Sequence, residues 1–243
     1  MTQPTLMLLP GLLCDQTVWP AQRAGLADLA NCRVVDYGST DSLTAMAEIV
    51  LGQAPARFAL AAHSMGGRVA LEVLRRAPER VAGLALLDTG YQPLAAGQAG
   101  ENERQQRHAL LDLARKDGMR AMGRQWLQGM IHEGRLGDHG LVEDILGMIA
   151  RKTPDIFAAQ IKALLERPDA TPVLSTIRCP ALALCGREDR WSPLARHEAM
   201  AALIPACRLI AVENCGHMST MERPEAVTEA MRGWLADVVR TAA

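Results

Sequence analysis

Ala62-His63-Ser64-Met65-Gly66-Gly67 places a serine where a short apolar run gives way to a helical pattern. Residues 58–62 before it are all apolar, as in a strand buried on both faces. After it, Val69, Leu71, Val73 and Leu74 recur at helical spacing until Pro78 stops the pattern. A strand that turns so sharply into a helix strains its central residue and holds that side chain out above the sheet. The next residue's N–H then lies at a helix N-terminus, facing the same space. Strand and helix approach closely only if the residues two before and two after the serine are small, and Ala62 and Gly66 stand there. Against the usual G-x-S-x-G, Ala62 adds one methyl group.

A nucleophilic serine needs a base, an acid to orient that base, and donors for the oxyanion. Residues 181–186 read as a second buried strand, and Asp189 follows in the loop beyond its carboxyl end. Residues 208–212 read as another strand, with His217 in the loop after it and Pro224 opening the final helix. The order Ser64, Asp189, His217 is the one expected of a serine hydrolase built on an α/β sheet. Loops beyond the carboxyl ends of parallel strands gather at one edge, so three distant residues can converge there.

Over nearly its full length the chain resembles α/β-hydrolase-fold enzymes of the small esterase and lipase type. The elbow at Ser64, the Gly186-x-x-Asp189-x-x-x-Pro193 segment and the Gly216-His217 pair ahead of a proline-initiated helix carry the resemblance. A fourth match is Leu6-Met7-Leu8-Leu9-Pro10-Gly11-Leu12-Leu13, a strand entering a turn. In the family this position often reads His-Gly and its loop supplies an oxyanion N–H; here Pro10 replaces the histidine and Gly11 is retained. The resemblance thus implies oxyanion donors at the main-chain N–H groups of Leu12 and Met65. It also implies a helical cap wherever the chain interrupts its strand–helix alternation.

The acid and the base each have rivals. Asp189 also suits a helix cap near Pro193, and Asp88, after the apolar strand 81–87, is an alternative acid. Asp88-Thr89-Gly90 equally reads as a structural turn. Among the six histidines, His63 is held beside the serine by the backbone, while His108, His132, His139 and His197 fall in polar, surface-like stretches. Only His217 stands in the required loop.

Residues near 5–9, 32–37, 58–63, 81–88, 181–186 and 207–212 are expected as strands of a mostly parallel sheet flanked by helices. Residues 92–172 break this alternation, with helical stretches at 102–116, 118–128, 141–151 and 154–167. The expectation is an α/β-hydrolase core at 1–91 and 173–243, with a helical cap inserted at 92–172. Arg104, Arg107, Arg120, Arg124, Gln125, Trp126 and Gln128 are candidates to face the pocket from that cap. Trp19, Trp126 and Trp191 are expected as substrate-binding walls, and Met65, Met218 and Met221 as an adaptable apolar lining.

At 243 residues, 49% hydrophobic, the chain suffices for one large α/β domain. A net charge of −1, with no long basic run, leaves no electrostatic footprint for nucleic acid. The N-terminal apolar run is too short for a membrane span and lacks the positive flank of a signal peptide, so a cytoplasmic protein without membrane partners is expected. The six cysteines form no C-x-x-C pair and no zinc-spaced cluster, so neither metal nor organic cofactor is expected. Cys14 adjoins the oxyanion loop, where a thiol reagent would inhibit if it reached it. These readings converge on a serine hydrolase of small or medium carboxylic esters. A C–C bond hydrolase, a cofactor-free perhydrolase, an acyltransferase or a non-catalytic binder are the alternatives.

Overall fold

Six runs of apolar residues become one parallel sheet: β1 (Thr5–Leu9), β2 (Asn31–Val34), β3 (Phe58–His63), β4 (Val81–Leu87), β5 (Ala181–Gly186) and β6 (Cys207–Val212). The structure, a computed structural model, describes residues 3–242. The strands lie in the order β2-β1-β3-β4-β5-β6, and every pairing is parallel. Their sequences explain the order. β3, β4 and β5 are apolar runs buried at every residue, whereas edge strands β2 and β6 carry the exposed Arg33 and Arg208. Charged side chains on an edge discourage pairing with another chain.

β2 is shorter than its sequence predicts, ending at Val34 rather than near residue 37. Val35 still donates to the Leu8 carbonyl at 3.0 Å. The next rung would need an N–H from residue 10, and Pro10 has none. The chain therefore leaves the sheet and turns, Gly38 N–H donating to Asp36 Oδ1 at 3.0 Å.

Helices cover both faces. α1 (Pro20–Gly25) crosses from β1 to β2, while α2 (Leu43–Gln53) and α3 (Met65–Arg76) pack against each other. Because β1 sits between β2 and β3, successive crossovers run in opposite directions from it. Their right-handedness then places α1 and α3 on opposite faces. That reversal makes a crevice outside the carboxyl ends of β1 and β3.

Between β4 and β5 come α4 (Gln98–Asp117), α5 (Met119–Leu127), α6 (His139–Ala150) and α7 (Pro154–Leu165). All four match the helical stretches read from the sequence. Asp138 accepts from Leu141 N–H to cap α6, and Thr153 accepts from Ile156 N–H to cap α7, with Pro154 at its first position. The chain closes with α8 (Thr171–Leu174), α9 (Leu194–Leu203), α10 (Ser219–Glu222) and α11 (Pro224–Ala242), the last packed on α1. Among the described residues no helix is long and apolar enough to cross a membrane.

Candidate active site

Ser64 occupies the single residue between β3 and α3, at φ 53° and ψ −118°, a conformation costly for any residue with a Cβ. The surroundings hold it there. Ser64 N–H donates to Leu87 O at 2.9 Å, while Thr89 Oγ1 donates to Ser64 O at 2.6 Å. Gly66 is required by contact: a Cβ there would lie 2.2 Å from the Leu9 carbonyl oxygen. Ala62 is fully buried and its extra methyl is accommodated.

The structure brings the three sequence-predicted residues together. Ser64 Oγ lies 2.8 Å from His217 Nε2, and His217 Nδ1 lies 2.8 Å from Asp189 Oδ2. The other Asp189 oxygen accepts from the Trp191 and Ser192 amides at 2.8 and 2.9 Å. Burial disfavours the Asp189 carboxylate, but the charge and hydrogen bond of His217 outweigh it and hold its pKa below the ordinary value. Burial likewise opposes an imidazolium at His217, yet Asp189 outweighs it and raises that pKa above 6.5. An ionised Asp189 only accepts, so His217 Nδ1 carries the proton and Nε2 is free to take one from Ser64. Leu12 and Met65 both line the cavity beside Ser64, and neither main-chain N–H has a protein acceptor among the described residues.

Asp88 is placed elsewhere. Fully buried, it accepts from Gly186 N–H at 3.0 Å and from the Ser219 hydroxyl, and it makes no contact with the His217 ring nitrogens. Burial and the nearby charge of Asp189 push its pKa well up. His63 Nε2 donates to the His217 carbonyl at 2.8 Å, and its Nδ1 has no partner among the described residues. Burial, with the neighbouring His217 charge, lowers the His63 pKa to about 4, so the ring is neutral.

A cavity of about 660 Å³ opens on Ser64. Trp126, Trp191 and Met218 line it, with Trp126 stacked on Trp191 at 5.0 Å between centroids and Trp191 4.9 Å from the His217 ring. Trp19 does not line it. It is fully buried in the core just before α1, which corrects the expectation of a substrate wall there. Of the seven cap candidates, Arg107, Gln125 and Trp126 line the cavity, whereas Arg104, Arg120, Arg124 and Gln128 do not. Arg104 and Arg120 pair instead with Glu101 and Glu143. His197 is fully buried rather than at the surface, its Nε2 accepting from Thr89 N–H at 3.0 Å. Cys14 reaches the cavity, but burial pushes its thiol up to about 12, which leaves almost no thiolate for a reagent to attack. Among the described residues no group of three or more His, Cys, Asp or Glu is arranged to hold a metal ion.

Two supporting side chains had no signal in the sequence. Gln160 of α7 accepts from Leu13 N–H at 2.8 Å and so ties the loop after β1 to the inserted helices. Glu222 of α10 accepts from the Gly216, Met218 and His132 amides and thereby holds the loop that carries His217. Each sits in an ordinary helical pattern, and its partners become neighbours only on folding.

Known proteins resemble this chain over most of its length. The chain is 30% identical to a thermophilic esterase from Thermogutta terrifontis of known structure, with a TM-score of 0.86 over 98% of this chain and 91% of that one. It is 25% identical to a pimeloyl-[acyl-carrier protein] methyl ester esterase of Nitrosomonas europaea, over 91% of this chain and 92% of the relative. A protein of the same name from Aromatoleum aromaticum is 27% identical, over 93% and 95% respectively. The model of the alpha/beta hydrolase family matches residues 6–230, which takes in the strained turn, the inserted helices and the six strands apart from the first residue of β1. With sheet order, elbow and match in agreement, the chain belongs to the alpha/beta hydrolase family.

Proposed function

We propose that this protein is a serine esterase that cleaves small or medium carboxylic esters through an acyl-enzyme. The observation that carries the proposal is the 2.8 Å approach of Ser64 Oγ to His217 Nε2, with Asp189 bonded behind the ring. His217 takes the Ser64 proton as the hydroxyl oxygen attacks the ester carbonyl carbon. Asp189 fixes the imidazole tautomer and stabilises its charged form. The tetrahedral oxyanion rests against the N–H groups of Leu12 and Met65, a donor of this kind being worth roughly 3–4 kcal/mol in another serine hydrolase. His217 returns the proton to the leaving alkoxide as the C–O bond breaks. Water, deprotonated by the same ring, then attacks the acyl carbon and frees Ser64. No step calls for a metal or organic cofactor.

Residues 92–172 act as a cap over a core made of 1–91 and 173–243, since side chains from both regions line the one cavity. The relatives named as methyl ester esterases support a carboxylic ester as the bond cleaved. The test is hydrolysis of p-nitrophenyl acetate, butyrate and octanoate by the wild type and by Ser64→Ala. Wild-type turnover is expected on at least the shorter esters, with kcat lowered on the order of 10⁶-fold in the variant, as in a comparable triad. Equal turnover by a folded Ser64→Ala would sink the proposal.

A further inference from the structure

The cavity is more basic than ester cleavage requires. Among the described residues four arginines line it, Arg68, Arg107, Arg167 and Arg196, against a single acid, Glu103. Glu103 is already occupied. Arg167 bonds both its oxygens at 2.8 Å, and Arg107 Nε donates to one of them at 2.9 Å. Among the described residues Arg68 and Arg196 have main-chain partners only, Gln92 O at 2.8 Å and Trp191 O at 2.9 Å. Their heads share one space: a Cβ on Gly90 would lie 2.9 Å from Arg68 Nη2 and 3.5 Å from Arg196 Nη1. Gly90 thus leaves room where the two guanidinium groups converge. Burial first, and then the charges of Arg167 and Arg196, lower the Arg68 pKa to about 9.

Both residues are half-buried at the cavity wall, and a guanidinium with no carboxylate beside it there is a ready partner for an anion. Arg68 lies one helical turn beyond Ser64, a rise of about 6 Å, and opens on the same cavity. We infer that Arg68 and Arg196 bind a second, anionic group of the substrate, a carboxylate or a phosphate remote from the scissile ester. The preferred substrate is then the monoester of a diacid rather than a wholly neutral ester. This inference rests on the esterase reading and adds a substrate class to it. The planar fork of each guanidinium suits two-point bonding to either anion.

The experiment compares kcat/KM for monomethyl adipate, methyl 5-phosphonopentanoate and dimethyl adipate. The wild type is expected to favour at least one anionic ester over the neutral one by about 10-fold or more, the size of a charge-assisted hydrogen bond. The better anionic ester identifies carboxylate or phosphate as the bound group. Arg68→Met and Arg196→Met should each lower the anionic-to-neutral ratio by about 10-fold, chiefly through KM. Arg115→Ala, exposed on α4, removes the same charge outside the cavity and should leave that ratio unchanged. A second arm needs no turnover: Ser64→Ala should bind monomethyl adipate or the phosphonate more tightly than dimethyl adipate by calorimetry, and lose the difference when Arg68→Met is added. If neutral and anionic esters are cleaved and bound alike, the anion site is overturned and the esterase reading stands. If no ester is cleaved but Ser64→Ala keeps the anionic preference, the esterase reading fails and the anion site stands.

Discussion

In the proposed mechanism, Asp189 sets the pH at which Ser64 finds a base in His217. His217 can accept the serine proton only while its ring is neutral, so activity falls as pH drops through the His217 pKa. Burial alone would lower that pKa, but the charge of Asp189, 2.8 Å from Nδ1, raises it above 6.5. The acid limb of kcat/KM should therefore be centred above pH 6.5 in the wild type. Asp189→Asn removes the charge and keeps the shape. The limb should then move to lower pH while kcat falls by roughly 10⁴-fold, as in a comparable triad. A pH–rate profile of both proteins decides this, and an unmoved limb would mean that another group titrates. Asp88 cannot stand in, because its oxygens are committed to Gly186 and Ser219.

At the scale of elements, the inserted helices are tied to the loop after β1. Gln160 of α7 reaches across to the Leu13 N–H, immediately after the proposed oxyanion donor Leu12. Gln160 is buried and Leu13 has φ 60°, so the loop after β1 is held in a conformation that β1 alone does not impose. Gln160→Leu leaves that N–H buried and unpaired, a loss of about 1–3 kcal/mol. The expected result is a lower melting temperature and a kcat reduced about 10-fold or more, with KM little changed. A fall in KM-controlled binding with kcat intact would show that the contact only shapes the cavity. This contact also marks where sequence reading stops. The strands and inserted helices were legible because apolar runs and 3.6-residue periods are local signals. The Ser64, Asp189 and His217 loops were legible because each follows a recognisable strand. Trp19 was misplaced because a tryptophan beside a site loop looks the same whether it faces cavity or core. Arg68, Arg167 and Arg196 stand 128 residues apart at their extremes, and no local pattern announces that they share a cavity.

For the molecule as a whole, the sheet gathers the loops that carry Ser64, Asp189 and His217 at one edge, where several titratable groups are buried. His197 of α9 illustrates the consequence. Its Nε2 accepts from Thr89 N–H, beyond β4, and its Nδ1 lies 3.4 Å from the Pro193 carbonyl, so the neutral ring ties a helix to the sheet. Burial lowers its pKa from 6.5 to about 4. The sign follows from proton uptake: between these values the unfolded chain holds the proton and the folded one does not, so acidification favours unfolding. The contribution is fully present above pH 6.5 and is lost progressively as pH falls towards 4. At pH 5 the loss amounts to about 2 kcal/mol, or about 5 °C for a chain of this size. Buried His63 and Asp189, with lowered pKa values, act in the same sense, and two other buried groups in the opposite one. Asp88 and His217 have raised pKa values and favour the folded state as protons are added. The raw pH profile therefore mixes signs, and only a difference isolates His197. His197→Gln keeps an acceptor for the Thr89 N–H and removes the titration. Melting temperatures at pH 7 and pH 5 should then fall less in His197→Gln than in the wild type, by about 5 °C. An identical drop in both proteins would show that His197 takes up its proton without unfolding, and that the acid sensitivity of the fold lies in other groups.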